Sequence, residues 1–157
     1  MSPELEHELV TKYPNIFHDY AGDRENNLMA FGMECGDGWY DIIDNLCHVI
    51  QSEVDFVNEH YSVSFRCEAV QVKEKYGTLR FYIHFFYGEK LSDEQMDRVN
   101  MSMNIIHGAI TMAERMSSRS CGTCGAKSTL SDDIFPKNEC DGCFALHSDI
   151  LSNRDPA

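Results

Sequence analysis

Three observations predict an α+β fold for this chain. Residues 39–60 and 93–117 carry apolar side chains at helical spacing. Between them, two runs rich in β-branched and aromatic residues flank the pair Tyr76-Gly77. Behind the second helical stretch come two Cys-x2-Cys pairs. The expected architecture is an antiparallel β-hairpin or small sheet covered by two long helices, with a C-terminal zinc-ribbon or knuckle module. The matching division is an α+β core over 1–118 and a zinc-binding module and tail over 119–157.

Each element has a local reason. Ser2-Pro3 supplies a capping side chain and then a proline at the first helical position, so a short helix starts there. Leu5, Leu9 and Tyr13 share one face of it, and Pro14 ends it near Lys12. Residues 15–31 are mixed; Gly22 and Asn26-Asn27 mark loop, and Phe17, Leu28 and Phe31 are expected to pack back on the core. Asp37 is the expected N-cap of the next helix, whose stripe is Trp39, Ile43, Leu46, Ile50, Val54 and Val57. Strands are expected over 65–75 and 79–87, with Gly77 in the left-handed position of a bulged turn. In the second strand Leu79, Phe81, Ile83 and Phe85 face the core, while Arg80, Tyr82, His84 and Phe86 face the other way. Ser92 and Gln95 form a capping box for a helix with Met96, Val99, Met103, Ile106, Ile110 and Ala113 along one side. That stripe covers the sheet or the Trp39 helix; a dimer seam is the alternative. The tail from Ser152 on is expected to fray.

The four cysteines carry the most direct chemistry. Cys121, Cys124, Cys140 and Cys143 follow C-x2-C-x15-C-x2-C, a zinc spacing. Each pair on a tight turn aims two sulfurs at one ion, and four thiolates complete a tetrahedron with no position open to water. The expected ion is therefore structural Zn²⁺, not a catalytic one. Gly122, Gly125 and Gly142 are expected to give the turns their positive φ. Two disulfides or four unrelated thiols are the competing readings, and His147 is a substitute ligand. Cys35, Cys47 and Cys67 read as small buried hydrophobes in a reducing cytosol.

Composition narrows the function. Hydrophobic residues are 43% and charged residues 25%, the balance of a globular domain, and no run suits a membrane span. The start of the chain is acidic and polar, unlike a signal peptide. Of the net charge of −13, residues 1–60 hold −11 (thirteen acids, two bases). Duplex nucleic acid is disfavoured as a partner, and a protein with a basic surface is favoured. Glu4, Glu6, Glu8, Asp19 and Asp23 are the expected steering set. Solubility alone is the plainer explanation of the charge.

Two further constellations stand out. Asp37, Asp41, Asp44 and His48 share one helix face, with Trp39 beside them and Glu34 within reach of the loop. Such a row could bind Mg²⁺ or Mn²⁺ and support hydrolysis, as a hydrolase or nuclease; a solvated face is the blander reading. Lys73, Lys75, Tyr76, Arg80 and Tyr82 make a basic–aromatic patch at the hairpin. It could grip a nucleotide or single strand, or pair internally with the acidic helix. Gly36-Asp37-Gly38 lacks the lysine and the glycine spacing of a phosphate loop.

Three stretches carry a resemblance: Glu34-Cys35-Gly36-Asp37-Gly38-Trp39-Tyr40-Asp41-Ile42-Ile43, the run Gln71 to Tyr82 (QVKEKYGTLRFY), and the terminal cysteine pairs. In that order they resemble a family of small phage- and prophage-encoded proteins of uncharacterised function, over roughly residues 30–147. The resemblance implies an accessory protein in the bacterial cytoplasm and brings no catalytic residues. With the acidic half and the closed zinc site, it leads to a stoichiometric binder that inhibits or redirects a host defence or nucleic-acid-handling protein. A homodimer is compatible with this reading.

Overall fold

In the computed structural model of the protein, described over residues 1–20, 22–23, 25, 27–131 and 136–152, helix α1 spans Pro3–Lys12. Ser2 makes no side-chain cap. Its backbone N–H instead donates to the Asp37 carboxylate at 2.6 Å, tying the start of α1 to a later loop. Leu9 and Tyr13 are buried as their spacing requires. Phe17 is buried too, but Leu28 and Phe31 are 51% and 56% exposed. A 3-10 turn over Leu28–Phe31 turns Met29 and Ala30 inward in their place. Asn26 and the tail from 153 on lie outside the described residues.

Helix α2 covers Tyr40–Tyr61. A 3-10 turn over Asp37–Trp39 leads into it, with Gly36 rather than Asp37 at the cap position. Asp37 is itself the first residue of that turn, and its carboxylate receives Ser2 N–H. The whole Trp39-to-Val57 stripe is buried. Helix α3, Asp93–Ser117, opens with the complete Ser92/Gln95 capping box. It buries Val99, Ile106, Ile110 and Ala113 against α2 and the sheet, so this stripe belongs to the core and not to a dimer seam. Between the helices, Glu53 accepts from Arg98 and Ser102, both at 2.8 Å.

The sheet is mixed, which corrects the purely antiparallel expectation. Strand β1 (Met33–Glu34) runs parallel to β2 (Arg66–Lys75), and β2 pairs antiparallel with β3 (Thr78–Phe86) in the order β1-β2-β3. Two residues inside a glycine-rich loop carry no strand periodicity, so β1 leaves no pattern to read. The register sets Cys67, Ala69 and Val72 opposite Phe85, Ile83 and Phe81 on the core side, and shifts at Ala69/Gln71. The hairpin loop is the two residues Tyr76 and Gly77, both at positive φ (54° and 72°), which is a primed turn and not the bulged form expected. A tyrosine at positive φ is uncommon and costs of order 1–2 kcal/mol.

Helix α4, Asp141–Ser152, was not expected in the module. Cys140 immediately precedes its first turn and Cys143 lies within it.

Candidate metal centre and its dock

The four sulfurs come together. Those of Cys121, Cys124, Cys140 and Cys143 all lie within 4.8 Å of one another. Cys124 Sγ and Cys140 Sγ are 3.6 Å apart. That is far beyond a disulfide bond of about 2.05 Å. It is close to the ~3.8 Å edge of a tetrahedron built on metal–sulfur bonds of about 2.3 Å. The donor set therefore fits a tetrahedral, thiolate-preferring ion. One pair sits on the loop closed by the Ser120–Lys127 bridge; the other sits at the start of α4. Burial alone would raise the Cys121 thiol, but backbone N–H groups of Cys140, Cys124 and Thr123 outweigh it and bring it down to about 6. Neighbouring thiols push Cys143 up, since four sulfurs this close cannot all ionise without a cation. Of the module's glycines only Gly125 has positive φ; Gly122 and Gly142 do not need it. His147 bonds Glu139 at 2.9 Å and lies outside the sulfur cluster.

The module is docked on the core through the other two motifs. Gly38 N–H donates to Gly122 O at 3.0 Å, and the Trp39 indole N–H donates to Ser120 O at 2.8 Å. A Cβ on Gly36 would stand 1.9 Å from Gly122 O, and one on Gly38 would stand 2.2 Å from Cys121 O. Both contacts are with backbone, so no side chain can yield, and glycine is required by close approach rather than by φ. On the other side the hairpin tip closes in: a Cβ on Gly77 would lie 2.4 Å from the Leu130 side chain. Asn138 completes the joint. It is buried, donates to Ser117 O, accepts from Ser128, and receives Gly122 N–H at its carbonyl (2.8 Å). A cleft of about 260 Å³ remains at this junction, bounded by Trp39, Glu74, Gly77, Thr123, Lys137 and Asn138. The Gly36–Trp39 loop, the Tyr76-Gly77 turn and the cysteine pairs, far apart in sequence, thus meet at one place.

The acidic helix face does not assemble into a site. Asp37 is taken by Ser2. Asp44 accepts from Lys12 at 2.7 and 2.9 Å and from the Tyr13 hydroxyl at 2.9 Å. Burial would raise its carboxyl, but these two donors win and hold it below the ordinary aspartate range. Asp41 and His48 are exposed. Among the described residues the metal-competent groups are the four cysteines and a second set, His18, Asp19 and Glu68. In that set Glu68 already pairs with Arg66 at 3.2 Å. Nothing in the sequence signals it, because positions 18 and 68 meet only through the fold.

At the hairpin, Lys73 stands over the Tyr82 ring (5.7 Å) and Lys75 over the Tyr76 ring (5.5 Å). Arg80 donates to Thr78 Oγ1 and Leu79 O and lies 3.9 Å from Glu114. Its carboxylate neighbour is thus on α3, not on the acidic helix. Cys35 and Cys67 are buried, and burial pushes both thiols up to about 12; Cys47 is driven higher for the same reason. No helix among the described residues is long and apolar enough to cross a membrane.

Comparison of the chain with protein-family models, with curated proteins and with solved structures finds no match.

Proposed function

We propose that the protein is a zinc-stabilised accessory factor of phage or prophage origin, acting by stoichiometric binding in the bacterial cytoplasm. Its target is a host protein with a basic surface, in a defence or nucleic-acid-handling complex that it inhibits or redirects. The observation that carries the reading is the exposed carboxylate surface of α1 and α2. Glu4, Glu8, Asp41, Asp55 and Glu59 are exposed on these two helices. Like charges collected on one region repel one another, and a basic partner offsets that cost. Zinc is the ion of choice for the cluster because a closed thiolate tetrahedron suits a redox-inert structural ion; iron is the other candidate for four sulfurs. A metal-dependent hydrolase is disfavoured because two of its four candidate side chains are committed to structural partners.

The test uses a partner captured from host lysate and association rates measured across a salt series. The variant is Glu4→Gln, Asp41→Asn, Asp55→Asn and Glu59→Gln together. Glu6 is left intact, because it is buried and accepts from Met33 N–H and the Tyr20 hydroxyl. Steering acts over about 10 Å at 0.1 M salt, so association should slow with salt and fall roughly tenfold in the variant, while dissociation stays nearly constant. Duplex DNA should bind poorly. A salt-independent association rate, or a target whose contact surface is itself acidic, would refute the proposal.

A further inference from the structure

Helix α3 carries a second apolar stripe on the side away from the core. Met101, Ile105, Met112 and Met116 are 57%, 38%, 62% and 50% exposed. They run in line with Gly108, which is also exposed, and a Cβ at Gly108 would meet nothing within 4 Å. Neither capping nor backbone conformation asks for glycine there, since it lies mid-helix and its φ is not positive. A glycine in the middle of an exposed apolar stripe leaves room for the backbone of another helix to come close.

We propose that this face pairs with a second copy of the chain, α3 crossing α3 antiparallel about a two-fold axis at Gly108. Two observations select a copy over any other occupant. The stripe is self-complementary about Gly108: Ile105 lies three residues before it and Met112 four after, Met101 seven before and Met116 eight after. In an antiparallel pair, Ile105 meets the partner's Met112 and Met101 meets the partner's Met116, as a two-fold interface requires. The charge pattern agrees. Asp97 lies eleven residues before Gly108, in the first turn and a half of α3, and Arg119 eleven after, in the turn just past the helix end. Each Asp97 then faces the partner's Arg119. Asp97 and Arg119 are exposed, and a parallel arrangement would set like charges together. An open groove of about 570 Å³ bounded by Gly108, Met112, Leu130, Thr78 and Arg80 lies alongside, where the partner's Ile105 can enter.

Sedimentation equilibrium on the full chain tests this. The wild type should dimerise with a dissociation constant in the micromolar range, as suits an interface at the small end of the specific class. Asp97→Arg and Arg119→Asp should each weaken it at least tenfold, and the double exchange should restore it to within about threefold. Gly108→Met should abolish the dimer while leaving the melting temperature of the monomer intact, because the monomer has open space there. A chain that stays monomeric at about 1 mM would overturn the proposal, as would a dimer indifferent to all three substitutions or a double exchange that fails to restore pairing.

Discussion

Asp44 and Asp41 sit one helical turn apart and do different jobs. Asp41 is exposed, with no partner for its carboxylate among the described residues. Asp44 holds α1 to α2 through Lys12 and Tyr13. Asp41→Asn should change stability by no more than about 0.5 kcal/mol. Asp44→Asn should cost about 1–2 kcal/mol, a modest figure because Lys12 is half exposed and its contribution is screened. The pH dependence has a definite sign. The Asp44 carboxyl is held below its unfolded value of about 3.9. Its contribution is therefore present above that pH and is lost as pH falls through the lower native value. The gap between wild type and Asp44→Asn, read from denaturant melts, should be full at pH 7 and narrow below about pH 4. Helical spacing shows that these carboxylates share a face. Which of them meets a lysine from a helix 32 positions earlier is a tertiary fact that spacing does not carry.

At the scale of elements, helices and hairpin strands were legible because each repeats its pattern. The Trp39-to-Val57 and Met96-to-Ala113 stripes run for five turns or so, and the Ser92/Gln95 box states its own start. Strand β1 and the Leu28–Phe31 turn were not legible, because two to four residues are too few for a period. The glycines of the Gly36-Asp37-Gly38 loop were visible, but their reason was not. Sequence suggests turn geometry, whereas the structure shows backbone contact with the cysteine loop. This gives a paired prediction. Gly38→Ala forces a Cβ to 2.2–2.3 Å from the Cys121 carbonyl and the Gly125 amide, and should cost about 1–3 kcal/mol with the module displaced. Gly142→Ala meets nothing within 4 Å and, lying in helix α4, should be neutral or slightly stabilising. Thermal melts of the two proteins separate a docking role from a turn role.

For the whole molecule, the cysteine module is not an appendage on an independent core. Three separated motifs converge on it, and the largest core side chain, Trp39, donates its indole N–H across the joint while only 1% exposed. The sequence places a division near residue 118, and the packing crosses it. Neither the cysteine spacing nor the Trp39 stripe could say so, since each is complete by itself. Because Trp39 is the single tryptophan, its fluorescence reports directly on this joint. The decisive measurement is the Trp39 emission maximum during removal of the metal by a strong chelator in reducing buffer, with zinc and iron followed by elemental analysis. About one zinc per chain should be present at the start. Its loss should shift the emission to the red and lower the melting temperature of the entire chain, and Zn²⁺ should reverse both. An emission spectrum that stays unchanged after the last metal has left, or a freshly reduced protein with no metal and a buried Trp39, would contradict the claim that the metal holds the core and module together.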